Sequence, residues 1–188
     1  MKKLNKFAQE HLQSEIEIIL QSERNNALPE LTTEEKAFIY KYTDDDFTHL
    51  GTNKQLRESQ GKNIADFAKY LAIALSKIES YVGIVYRSTD LSELIFQEYQ
   101  SALSNKTIIT EYAFLSATQS EYIAKEGYAN DFLFKIFSKN GKPIEKISKF
   151  GIYSFDNEFE VVFIKGSQFK VLGIEKYQNY TLIILKEV

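Results

Sequence analysis

Glu158 and Glu160 stand one residue apart in the stretch YSFDNEFEVVF, residues 153–163, where a polar turn gives way to an apolar run. Successive side chains of a strand alternate faces. Both carboxylates would therefore point one way, with Phe159, Val161 and Phe163 pointing the other. At a rise of ~3.3 Å per residue their α-carbons lie roughly 6 to 7 Å apart along one edge, a spacing at which two carboxylates can share a substrate. Alone, the pattern is more often a solvated strand end than a site. Upstream, Arg87 closes the run VYR, and Ser116 and Thr118 sit in FLSAT. A strand-end arginine is ordinarily a salt-bridge residue, and Ser-Ala-Thr is ordinary sheet surface. Their order along one chain is what gives the three features weight.

Other chemistries are poorly served. Cysteine is absent, which removes disulfides, thiolate nucleophiles and cysteine-based metal sites. The only histidines, His11 and His49, stand in no triad-like or metal-like pattern, and GxGxxG, GxxxxGK[ST] and HExxH are all missing. Lys135, Lys139, Lys142, Lys146 and Lys149 form a basic stretch broken by Glu145. No aromatic stacking pattern marks it as a nucleic-acid track, so it reads as a solvated edge. A net charge of −3 gives no global attraction to nucleic acid or an anionic membrane. The N-terminus has a basic start but no apolar core of a secretory signal, and no run approaches a membrane span. The expectation is a cytoplasmic protein with no membrane partner, acting in its producer or in a target cell.

The elements that must position these residues divide at about residue 80. Leu4, Phe7, Ala8, Leu12, Ile16, Ile19 and Leu20 recur at helical spacing. Thr32 with Glu35 forms a capping-box pattern ahead of Ala37, Phe38 and Tyr40. The acid run Asp44–Asp46 reads as the first turn of a short helix, and residues 63–80 as a core helix. Beyond it come a strand at 82–87, a helix at LSELIFQEYQSAL, and short strand-like runs: TII, YAFLSAT, DFLFKIF, PIEKI, FEVVFI, QFKVLGIE and YTLIILKEV. Asn140-Gly141, Gly166-Ser167 and Gln178-Asn179 mark turns. Helices first and strands second predict an α+β fold, its helices packed on a mostly antiparallel, two-sheet β-sandwich core. The chain is expected to form one domain, 1–188, with 1–80 helical and 81–188 mainly β.

From about Leu31 to Val171 the sequence resembles the mono-ADP-ribosyltransferases of the arginine–serine–glutamate class, toxin-like branch. LTTEEKAFIYKYTDDDFTHLGTNKQLRE is similar to the helical opening of that branch, VYRSTDLSE to the arginine strand, and YAFLSAT to the Ser-Thr-Ser strand. GKPIEKISKFGIYSFDNEFEVVFIKGSQFKVL is similar to the closing stretch, with its Ile-Ser strand, turn and E-x-E. Two residues depart from the pattern: Ser88 stands where glycine often follows the arginine, and Ala117 replaces the middle hydroxyl.

The resemblance implies NAD+ as substrate, no metal, and the family's glycosyl transfer. In that reading Glu160 is the catalytic carboxylate, and Arg87 grips the pyrophosphate. Ser116 holds Glu160 or the ribose, with Thr118 behind it, and Ser88 lies beside the nicotinamide. Tyr122 and Tyr128 are candidates to stack on the nicotinamide, and ordinary packing explains them equally well. Glu158 would prepare the acceptor, with Phe155 contacting its surroundings. E-x-E implies arginine as acceptor, on a macromolecular target that is protein rather than RNA. An NAD+ glycohydrolase, an RNA-modifying transferase and an inactive binding module are the alternatives. A toxin of this kind also implies an antitoxin or immunity protein in its producer. Residues 1–30 lie outside the resemblance and read as packing helices.

Overall fold

A computed structural model describes residues 2–44, 48–127 and 130–188. Asp45, Asp46 and Tyr128 lie outside the described residues. Helices α1 (Lys2–His11) and α2 (Gln13–Leu20) lead through a 3₁₀ turn, Glu23–Asn25, to α3 (Thr33–Tyr42). The capping box read from the sequence is present: Glu35 N donates to Thr32 Oγ1 and Thr32 N to Glu35 Oε2. Helices α4 (Thr48–Glu58) and α5 (Asp66–Lys77) complete the helical part. Their apolar stripes merge into one core, in which Leu4, Ala8, Leu12 and Ile19 pack with Phe38, Leu71 and Leu75. The N-terminal helices thus pack on α3.

Strand β1 (Tyr81–Thr89) begins the second part, followed by α6 (Glu93–Asn105), β2 (Ile108–Glu111) and β3 (Leu115–Thr118). Then come a π-helical turn (Ile123–Gly127), β4 (Phe132–Pro143), β5 (Glu160–Phe163), β6 (Ser167–Lys176) and β7 (Thr181–Glu187). Mixed α and β structure with a mostly antiparallel sheet is what was expected; the parallel pair is β4–β7. The pairing does not divide the strands into two sheets. All seven join in the order β1-β3-β5-β4-β7-β6-β2, and β1 also pairs with β4. Strand β4 makes this possible because its twelve residues outlast its first partners. It runs beside β1 and β7, then turns to meet β5 through Lys142 and Pro143.

Asn140-Gly141, expected as a turn, is this corner inside β4. Glu187 Oε2 accepts from the backbone N–H groups of Lys139 and Asn140 there. A Cβ on Gly141 would stand 2.6 Å from both Ser138 Oγ and Val161 Cγ1, so only glycine fits. PIEKI is also not a strand: after Pro143 the chain folds into a turn, with Ile147 N and Ser148 N both donating to Ile144 O.

Strand β5 lies between two cores. Val162 enters the helical core, while Val161 and Phe163 enter a second one with Phe96, Phe134, Phe169 and Leu185. Strand β3 splits likewise, Phe114 to the first core and Leu115 and Ala117 to the second. The lysine stretch disperses over this scaffold. Lys142 is buried, its Nζ donating to Ile78 O and Ser80 Oγ, and Lys149 pairs with Asp44 at 2.9 Å.

Candidate active site

Antiparallel register sets the first contacts. Thr118 faces Tyr86 across β1–β3 and Glu160 across β3–β5, so three strands bring their ends to one place. Period-2 alternation puts Ser116 on the Phe114 side of β3 and Glu160 on the Val162 side of β5, both toward the helices. The middle residue, Ala117, is buried in the sheet core, and its methyl suits that apolar face where a hydroxyl would need a partner.

Ser116 is the junction. Its Oγ lies 2.6 Å from Glu160 Oε1, donating to it, and 3.2 Å from the Tyr42 hydroxyl at the end of α3. A serine hydroxyl has one proton, so with Glu160 ionised it is Tyr42 that donates to Ser116. Arg87 Nη1 donates to the Ser116 carbonyl at 2.7 Å. Ser148 Oγ approaches the other Glu160 oxygen at a longer 3.5 Å and also accepts from Phe150 N. Glu160 is only 9% exposed. Burial pushes its carboxyl up to about 7, with nearby Glu158 adding to the rise and Ser116, Ser148 and Arg87 opposing it. Burial also raises the Tyr42 hydroxyl, with the Glu160 charge a further cause.

These groups line a cleft of about 450 Å³, to which Arg87, Ser88, Ser116, Thr118, Glu158 and Glu160 all contribute. Asp44, Tyr86 and Phe150 border it too. A second hollow of about 430 Å³ shares Tyr42, Arg87 and Ser116 and extends toward Asn53, Lys54 and Arg57.

Glu158 reaches the cleft by a route other than the one alternation suggests. It precedes β5, and Phe159 between the two acids has φ +49°, a left-handed conformation that costs a non-glycine residue roughly 1–2 kcal/mol. Phe159 is consequently 41% exposed rather than buried beside Val161 and Phe163. Its N–H is held by Asn157 Oδ1, and its carbonyl accepts from Gln119 N.

The remaining sequence candidates fall as follows. Ser88 lines the cleft and its Oγ accepts from Asn130 N, tying down the far end of the 119–130 segment. Thr118 Oγ1 ties the near end through Ser120 N. Tyr122 is not brought into the cleft: it precedes the π-helical turn and is 75% exposed, and Ala124 is the residue of that turn at the lining. Phe155 is fully exposed at the tip of the 150–159 segment. Sequence reasoning missed Tyr42 and Ser148 as site residues. Tyr42 follows Phe38 at i+4 on the buried face of α3, which could have found it; Ser148 carried no signal beyond the Ile-Ser pair.

A sequence profile described as ADP-ribosyltransferase exoenzyme matches residues 5–188, so the chain belongs to that family of bacterial toxins and effectors, whose substrate is NAD+. Comparison with curated protein sequences finds no match. Among solved structures, the fold is similar to ADP-ribosyltransferase HopU1 of Pseudomonas syringae pv. Tomato. The identity is 20% and the TM-score 0.78, covering 94% of this chain and 87% of that one. It is also similar to exoenzyme S of Pseudomonas aeruginosa, solved with human 14-3-3 protein beta and carba-NAD. There the identity is 18% and the TM-score 0.77, covering 100% and 88% of the two chains. The Vis toxin of Vibrio splendidus, solved with agmatine, matches at 20% identity and TM-score 0.64, covering 100% and 86%. No helix among the described residues is long and apolar enough to cross a membrane. Among the same residues no group of three or more His, Asp or Glu could hold a metal ion.

Proposed function

We propose that the chain transfers ADP-ribose from NAD+ to an arginine side chain of a macromolecular target, a protein rather than an RNA. Breaking the nicotinamide–ribose bond sends its electron pair to the ring nitrogen. Nicotinamide, cationic until then, leaves neutral and needs no acid. The ribose left behind is oxocarbenium-like and requires a negative charge close by. Glu160 supplies it, held by Ser116 and Ser148. Arg87 offers its planar donors to the pyrophosphate, and Ser88 and Thr118 anchor the segment that covers the nicotinamide end. A guanidinium is a poor nucleophile, so Glu158 aligns it and takes its proton as the new C–N bond forms. Phe155 meets the target's surface beside that arginine.

The observation that carries this reading is one buried carboxylate fixed by two hydroxyls, with a second carboxylate on the wall of the same cleft. The agmatine bound to the Vis toxin is an arginine-like guanidine, which supports the same acceptor here. We place the activity in one domain, 1–188, acting in a cytoplasm, with a neutralising partner in the producing cell.

The test is incubation of purified protein and labelled NAD+ with agmatine or a cell lysate. Label on agmatine and on protein bands is the expected result. Label on RNA, or free ADP-ribose alone, would replace arginine with another acceptor. Glu160→Gln should abolish NAD+ cleavage, by at least ~100-fold for a lost charge contact to the transition state. Glu158→Ala should keep slow hydrolysis while losing transfer; equal loss of both would contradict the separate roles.

A further inference from the structure

Arg24 lies in the 3₁₀ turn between α2 and α3, far along the chain from every residue assigned a role above. It is 8% exposed, yet no carboxylate faces it in an ion pair among the described residues. A buried cation held by neutral groups is costly unless its donors are well used. Here they are used on the turn that carries Ser148. Nε donates to Ile147 O at 3.0 Å and to Ser148 O at 3.3 Å, and Nη2 donates to Ser148 O at 3.0 Å. The guanidinium also lies against two rings, Tyr40 of α3 at 5.3 Å and Tyr153 of the 150–159 segment at 5.6 Å. Such contacts favour a flat cation over the point charge of lysine. The 3₁₀ turn itself is fixed to α3, because Lys36 Nζ donates to Asn25 O at 2.6 Å.

We propose that Arg24 is a positioning residue of the active site: it clamps the Ile147–Ser148 carbonyls so that Ser148 meets Glu160, and through Tyr153 it steadies the segment that ends in Glu158. The inference rests on the roles proposed for Glu160 and Glu158. A clamp on backbone carbonyls sets where the serine hydroxyl sits, and that hydroxyl is one of the groups favouring ionised Glu160. The charged and titratable groups facing Glu160 are Glu158, Arg87 and Tyr42, and none of them is replaced in the variants below.

The experiment is the pH dependence of kcat/KM for NAD+ hydrolysis in Arg24→Lys, Ser148→Ala and the double variant, with thermal melts alongside. Lysine can reach one carbonyl but cannot span both and lie flat between two rings. Both single variants should move the acid limb to higher pH, by roughly half a unit for a lost hydrogen bond to the ionised form. The double variant should move it no further than either single one. A lower melting temperature with the limb in place would make Arg24 merely structural and overturn the clamp. So would shifts that add. Tyr153→Leu leaves both carbonyls capped and tests the second arm even if Arg24→Lys does not fold. It should keep hydrolysis and lose severalfold in transfer to agmatine, and an unchanged ratio overturns that arm. Hydrolysis surviving in Glu160→Gln would instead overturn the reading of the site itself.

Discussion

Glu160, the carboxylate proposed to stabilise the ribose cation, is held where charge is disfavoured. Its value of about 7, against an ordinary 4.5, means the folded protein holds a proton that the unfolded chain has released between those two pH values. Stability linked to Glu160 is therefore fully present below pH 4.5 and is lost as pH rises through about 7. The loss amounts to about 3 kcal/mol at alkaline pH. Glu160→Gln, neutral and still able to accept from Ser116, should melt several degrees above the wild type at pH 8. The two should converge near pH 5, and coincident melts at both values would show that the site carries no such load. NAD+ cleavage should fall on the acid side of neutrality, because in the proposed mechanism the ribose cation is stabilised by ionised Glu160. The letters E-x-E at 158–160 made both acids legible, since acids at a strand start are conspicuous. The burial that tunes Glu160 was not legible, because it depends on Val162 and Tyr42, which lie in a core assembled from distant parts of the chain.

Among the elements, the connection from Pro143 to Glu160 matters most and was read least well. PIEKI reads as a strand because it is short and apolar, yet Ile144 and Ile147 both enter the helical core from a turn, where i, i+3 spacing places them on one side. The i, i+3 spacing of the two isoleucines fits a turn rather than a strand, and that spacing was the signal overlooked. The connection is closed by a near contact of backbone with backbone. Ile152 N donates to Glu145 O at 2.9 Å, and a Cβ on Gly151 would stand 1.8 Å from that same oxygen. A carbonyl on the main chain cannot swing aside as a side chain can. Gly151→Ala should cost roughly 1–3 kcal/mol and displace the segment bearing Glu158. Transfer to agmatine should fall more than hydrolysis; an unaffected ratio would show that this contact does not set Glu158. Strands β1, β3 and β5 were legible because each keeps a short apolar rhythm. The corner in β4 was not, since Asn-Gly describes a hairpin as readily as a bend within one strand.

At the scale of the molecule, the first helices are part of the enzyme's frame. The family profile runs from residue 5, well upstream of the resemblance first seen from Leu31. Leu4, Leu12 and Ile19 are almost fully buried, each contributing about 1.5–3 kcal/mol, against a total stability of roughly 5–15 kcal/mol for a whole domain. Deleting residues 1–20 should abolish the cooperative melt. A truncated chain that melts like the parent would make those helices an appendage. Their amphipathic spacing was plain in the sequence; what they cover was not. The strand that bears Glu160 is walled by both apolar interiors at once, one formed by helices and the other by the sheet. No half-condensed form of the chain can therefore assemble the reactive corner. On the roles proposed for Glu160 and Ser116, cleavage of the dinucleotide waits until both halves have closed.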